Sequence, residues 1–147
     1  MDSIHPLDIS IFRLANYTLA NPAAGADFAF PCPTNTRLQL ISVHFKLSTS
    51  SASANRYVFI QGTHGTTIFC RTGPRTPIGS SAHIYYSYSL LGSSPQTNIT
   101  ASRWNSALSH EFFLQPGESL VSSSAGLDAA DQLSLIYIRA KLWTLPY

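Results

Sequence analysis

A chain of 147 residues with 44% apolar and 12% aromatic side chains has the length of a single domain and enough apolar mass for a packed core. Charged residues make up 11%, well under the roughly 25% of an average soluble domain, so the surface must be built from Ser, Thr, Asn and backbone, which suit strands and turns better than helices. The nine Lys and Arg stand singly for a formal charge of +2, which predicts no nucleic-acid partner, and no apolar run reaches the roughly 18 residues of a spanning helix, which predicts no membrane partner.

The opening "MDSIHPLDISIF" has neither a basic start nor a long apolar block, so it predicts no export signal. Residues 1–12 read equally well as an arm laid on a neighbouring subunit or as part of a first strand that continues through "IFRLANYTL". In "RLQLISVHFKL", Leu38 and Leu40 share one face, and after a slip of one residue Ile41, Val43, Phe45 and Leu47 share the next. Such a slip predicts a β-bulge.

"NRYVFIQG" places Val58 and Ile60 opposite Tyr57 and Phe59, and "TTIFCR" follows after "THG". "TGPRTPIGSS" must be a loop, because Pro74 and Pro77 would each remove a ladder donor. "AHIYYSYSLL" sets Ile84, Tyr86, Tyr88 and Leu90 against His83, Tyr85, Ser87 and Ser89. Residues 92–106 show no period and read as a long loop. "ALSHEFFLQ" resumes with Leu108, Phe112 and Leu114 on one side, "PG" turns the chain into "ESLVSSS", and "QLSLIYIRAKLW" aligns Ile136, Ile138, Ala140 and Leu142 after Leu133 and Leu135 on the other phase. About eight closely spaced strands without a capped helical segment predict an all-β fold over residues 1–147, a jelly-roll-like antiparallel β-sandwich.

Chemistry is harder to place on this frame. None of His5, His44, His64, His83 and His110 stands at metal-ligand spacing from another ligand, no G-x-S-x-G elbow or phosphate loop occurs, and Glu111, Glu118, Asp128 and Asp131 form no evident acid pair. The chain therefore reads as a non-enzyme with no cofactor and no metal site. Cys32 and Cys70 read as reduced, mostly buried thiols, and the N-x-S/T sequences at Asn16 and Asn98 as chance occurrences. Tyr85, Tyr88 and Trp104 offer two readings: a stacking platform for sugar rings, or core and subunit-contact packing, which the spacing favours.

The order "TRLQLISVHFKLSTSSASANRYVFIQ", followed by "LQPGESLVSSSAGLDAADQLSLIYIRAKLW", resembles small virion structural proteins of tailed bacteriophages and cyanophages. Arg56, Pro116, Gly117, Asp131, Gln132 and Trp143 are the distinctive matches, over roughly residues 36–62 and 114–143. Ala130 stands where that layout has Gly, "RAKLW" replaces a more acidic ending, and residues 71–106 match nothing in it.

The resemblance implies a jelly-roll capsid decoration or cement protein, a homo-oligomer, favoured as a trimer, seated on the major capsid protein or other virion proteins and assembled in the host cytoplasm. The alternative is a carbohydrate- or receptor-binding sandwich of a tail or fibre. Ile4, Leu7, Ile9, Ile11, Phe12, Tyr85, Trp104, Trp143 and Tyr147 are the expected interface residues.

Overall fold

The computed structural model describes residues 11–90 and 102–145. In chain order the strands are β1 (Arg13–Leu19), β2 (Ala29–Pro31), β3 (Thr36–Ser48), β4 (Tyr57–His64), β5 (Thr67–Thr72), β6 (His83–Ser89), β7 (Arg103–Ala107), β8 (Phe113–Leu114), β9 (Glu118–Ala125) and β10 (Gln132–Thr144). A six-stranded sheet has the order β1-β10-β3-β6-β7, with β8 also paired to β3, and a four-stranded sheet has the order β2-β9-β4-β5. No helix occurs among the described residues.

The pairs β1·β10, β2·β9, β3·β6 and β4·β5 nest inside one another, and successive pairs fall on alternate sheets. That connectivity makes the β-sandwich a jelly roll. All pairings are antiparallel except β6 with β7, which run parallel.

Alternation decides which side chains meet between the sheets. Leu38, Leu40, Val43, Phe45 and Leu47 of β3, Val58 and Ile60 of β4, Ile84, Tyr86 and Tyr88 of β6, and Ile136, Ile138, Ala140 and Leu142 of β10 are all buried in one core. Phe45 stacks on Tyr86 with ring centroids 4.6 Å apart and meets Phe28 edge-on at 5.4 Å.

Both long strands are irregular: β3 carries the bulge its sequence predicts, and in β10, whose change of phase fits either a bulge or two-sided burial, the structure has a register shift. Opposite β10, the register of β3 skips Ile41, so Leu40 and Val43 both point inward. On β10 the skip falls between Ser134 and Tyr137, where Leu135 takes a left-handed φ of 51°. Ile41 is therefore the bulged residue and does not belong to the inward set of Val43, Phe45 and Leu47.

Two sequence readings change. Residues 103–106 lie in the stretch read as loop but with Ala107 form β7, with Trp104 and Ser106 inward. One large apolar residue in five is too little pattern to announce a strand. Residues 108–114 do not run as one strand: the Phe112 N–H donates to the Ser109 carbonyl at 3.1 Å, which turns the chain before the two-residue β8. Leu108, Phe112 and Leu114 still share burial, as the pattern requires.

At one end of the sandwich a polar cluster ties the β3–β4 and β9–β10 loops together. Arg56 and Asp131, two of the distinctive residues of the virion-like layout, form a fully buried ion pair in which Arg56 Nε donates to Asp131 Oδ2 at 2.6 Å. The Arg56 guanidinium also donates to the Ala54 and Ala52 carbonyls at 3.0 and 2.9 Å and to Ser50 Oγ at 3.2 Å. Asp131 accepts the backbone N–H of Ser50 and of Asp128, each at 2.7 Å. Nearly every donor and acceptor of the pair is thus used, which is the condition under which a buried ion pair is tolerated.

Gly126 closes the same end with φ of 77°, and a Cβ there would run into the Asn55 carbonyl oxygen. Gly126→Ala is expected to cost at least about 2 kcal/mol, because strain and a backbone clash add. Urea unfolding would measure it, and an unchanged midpoint would contradict this account of the turn.

Candidate functional site: the outer face of the six-stranded sheet

The basic residues are scattered along the chain but gathered in the fold. Arg13, Arg37, Lys46, Arg103, Arg139 and Lys141, six of the nine, lie on strands of the six-stranded sheet. Those strands contain no Asp or Glu at all. Because their strand neighbours point into the core, Arg37, Lys46, Arg103, Arg139 and Lys141 occupy outward positions. A stripe invisible in the sequence is therefore made by strand register.

The register arranges this face in rows. Thr18, Tyr137, His44, Ser87 and Asn105 form one row across β1, β10, β3, β6 and β7. Ser134, Lys46, Tyr85 and Arg103 form a row beside it. Towards the other end come Asn16, Arg139, Ser42 and Ser89, then Leu14, Lys141, Gln39 and Phe113, then Trp143 beside Arg37.

The Trp143 end is an aromatic strip. Trp143 lies 5.6 Å from Phe12 and 6.3 Å from Phe113, centroid to centroid. Lys141 Nζ sits 4.8 Å above the Phe12 ring and the Arg37 guanidinium 4.3 Å above Phe113, contacts in which ring faces attract cations. Leu14, 50% exposed and paired with Lys141, extends the strip to β1, the last strand on that side of the sheet among the described residues.

The other end holds a shallow depression of about 320 Å³, walled by Tyr85 and Tyr137 and floored by His44 and Ser87, with Arg103 and Asn105 at one side. His44 Nδ1 and Ser87 Oγ are hydrogen-bonded at 2.9 Å. Burial lowers the His44 pKa below the usual imidazole value, so the ring is neutral at neutral pH. Lys46 Nζ lies 5.4 Å from the Tyr85 ring centroid.

Several expected interface residues fall on this face. Phe12 and Tyr85 are exposed there and Trp143 is half-buried in the strip, whereas Ile11 is exposed but in phase with Arg13, which pairs with inward-facing Leu142. Ile4, Leu7, Ile9 and Tyr147 lie outside the described residues. Trp104 needs correction: it is 1% exposed, with its ring 4.9 Å from Tyr88 in the core, because parallel pairing with Tyr86 turns it inward. Tyr88 is equally enclosed, so Tyr85, Tyr88 and Trp104 do not form a sugar platform.

The sequence reading missed Leu14, Phe113, Leu135 and Tyr137. Tyr137 had a visible signal, since in "IYI" it alternates with two inward isoleucines. Leu135 had none, because its outward turn depends on the bulge.

Elsewhere, no group of three or more His, Cys, Asp or Glu side chains converges among the described residues. Cys32 and Cys70 are unbonded thiols, and burial pushes both pKa values up, away from the thiolate. No helix among the described residues is long and apolar enough to cross a membrane. Comparison with known proteins yields no matching family model, curated protein or solved structure, so what this face can bind must be argued from its own chemistry.

Proposed function

We propose that this chain is a non-enzymatic structural protein of a virus particle, a capsid decoration or cement protein that binds neighbouring capsid subunits and associates with its own copies as a trimer. The observation that carries the reading is the apolar strip at the β1 edge, where Phe12 and Leu14 are exposed beside Trp143 and Phe113. A strand facing only water would carry polar residues at these outward positions.

The strip also borders an edge strand, β1, which has no strand partner on its outer side among the described residues and so offers backbone N–H and C=O groups to a neighbouring chain. Low charge supports close contact, since few ions would lose water there. Face-to-face pairing of two identical copies across the whole sheet is disfavoured, because like cations would oppose each other. Cyclic association through the β1 edge avoids that repulsion, as does seating against an acidic capsid surface.

Cryo-electron microscopy of purified particles tests this reading, with the chain expected as ordered density on the head. The double variant Phe12→Asp, Leu14→Asp is expected to keep its circular dichroism spectrum while self-association and head occupancy fall about tenfold or more, since charge would be forced into the apolar contact. A virion preparation lacking the chain, or a charged variant that assembles normally, would refute the proposal.

A further inference from the structure

Beyond the particle role and independent of it, we propose that the depression between Tyr85 and Tyr137 binds an acidic sugar, a hexose ring bearing a carboxylate or a sulfate. Its volume of about 320 Å³ lies at the small end of ligand clefts, which run roughly 300–1,000 Å³. That is room for a ring-sized ligand and not for a folded partner.

The walls supply stacking. Tyr85 on β6 and Tyr137 on β10 stand on either side of β3 and are 45% and 47% exposed. Each offers a flat apolar face for sugar C–H groups and a hydroxyl for a sugar hydroxyl. The floor supplies directed polarity through the hydrogen-bonded His44 and Ser87.

Charge then selects the class of sugar. With His44 neutral, the positive charge comes from Arg103, which lines the depression, and from Lys46 beside Tyr85. The guanidinium fork of arginine matches a carboxylate or sulfate with paired hydrogen bonds. No carboxylate on any strand of the sheet opposes an anion there.

The bulge on β10 is a second, independent feature of the same place. Leu135 holds a left-handed φ of 51°, uncommon for a non-glycine residue, and with its side chain 48% exposed it lines the depression. Bulges and backbone strain of this kind gather where a sheet re-aims a side chain at a ligand.

A nucleic acid fits less well, because phosphates need a continuous track of cations. Here Lys141 and Arg37 are drawn over the rings of Phe12 and Phe113 at the far end of the face, which leaves no continuous track of cations from the depression.

Isothermal titration of the full chain tests the site with a uronic-acid tetrasaccharide, a sulfated disaccharide, a neutral tetrasaccharide and a short oligodeoxythymidylate. At least one acidic sugar is expected to bind about tenfold or more tighter than the neutral one, and which of them binds identifies the anion. Arg103→Gln should abolish that preference, and Tyr137→Ala should weaken binding about tenfold. Phe12→Ala, at the far end of the face, should change nothing, and an unchanged melting temperature confirms that each variant folds. Equal binding of the neutral sugar, tighter binding of the oligonucleotide, an Arg103→Gln variant that keeps the preference, or no sugar binding would each overturn the assignment.

Discussion

Asp131→Ala is expected to destabilise the fold by roughly 3–5 kcal/mol, the range for breaking a buried ion pair by removing one partner. The cause is not the attraction lost but the charge left behind. Arg56 has no exposed surface, and without Asp131 its guanidinium keeps the Ala52, Ala54 and Ser50 oxygens but has no counter-charge. The Ser50 and Asp128 N–H groups would lose their acceptor at the same time. Equilibrium urea unfolding at neutral pH measures the loss, and a change under about 1 kcal/mol would show that the cluster relaxes without cost.

The same pair gives the protein a predictable acid limb. Burial by itself would raise the Asp131 pKa, but the Arg56 hydrogen bond, the Ser50 and Asp128 N–H groups and the Arg56 charge outweigh it and hold the carboxyl below its usual value. A carboxylate with a lowered folded pKa contributes stability that is fully present above the unfolded pKa of about 3.9 and lost as pH falls through the folded pKa. The wild type should therefore weaken progressively below about pH 4, whereas Asp131→Asn should be weaker at neutral pH and show a shallower acid decline. Equal acid slopes for the two proteins would rule out Asp131 as the titrating group.

Trp104→Ala is expected to cost about 3–5 kcal/mol, the range for truncating a large buried aromatic side chain. Trp104 is packed against Tyr88, with Tyr86 at 6.2 Å, so its removal opens a cavity beside the parallel β6–β7 pair. Oligomer mass and sugar affinity, measured under conditions where the variant remains folded, should match the wild type. A Trp104→Ala protein of unchanged stability that lost a partner would move this residue from the core to the surface.

Why Trp104 was placed wrongly from sequence, while Tyr86 was placed correctly, comes down to length of pattern. Tyr86 sits in eight residues of clean alternation, from His83 to Leu90, and each neighbour fixes the phase of the next. Trp104 has a five-residue strand whose phase is set by β6, its partner in space. Arg56 and Asp131 illustrate the same divide at longer range. Each stood out in the sequence, yet 75 residues separate them, and only the meeting of the β3–β4 and β9–β10 connections at one end of the sandwich reveals a bond.

The sequence by itself determined the strands of β3, β4, β6 and β10 and the bulge in β3, and hence a sandwich, because hydrophobic period is local and burial follows it directly. The tertiary structure decided the candidate site. Which outward residues become neighbours depends on strand order and register, so cations dispersed from Arg37 to Lys141 became one face, on strands without Asp or Glu, only when β10 was laid between β1 and β3.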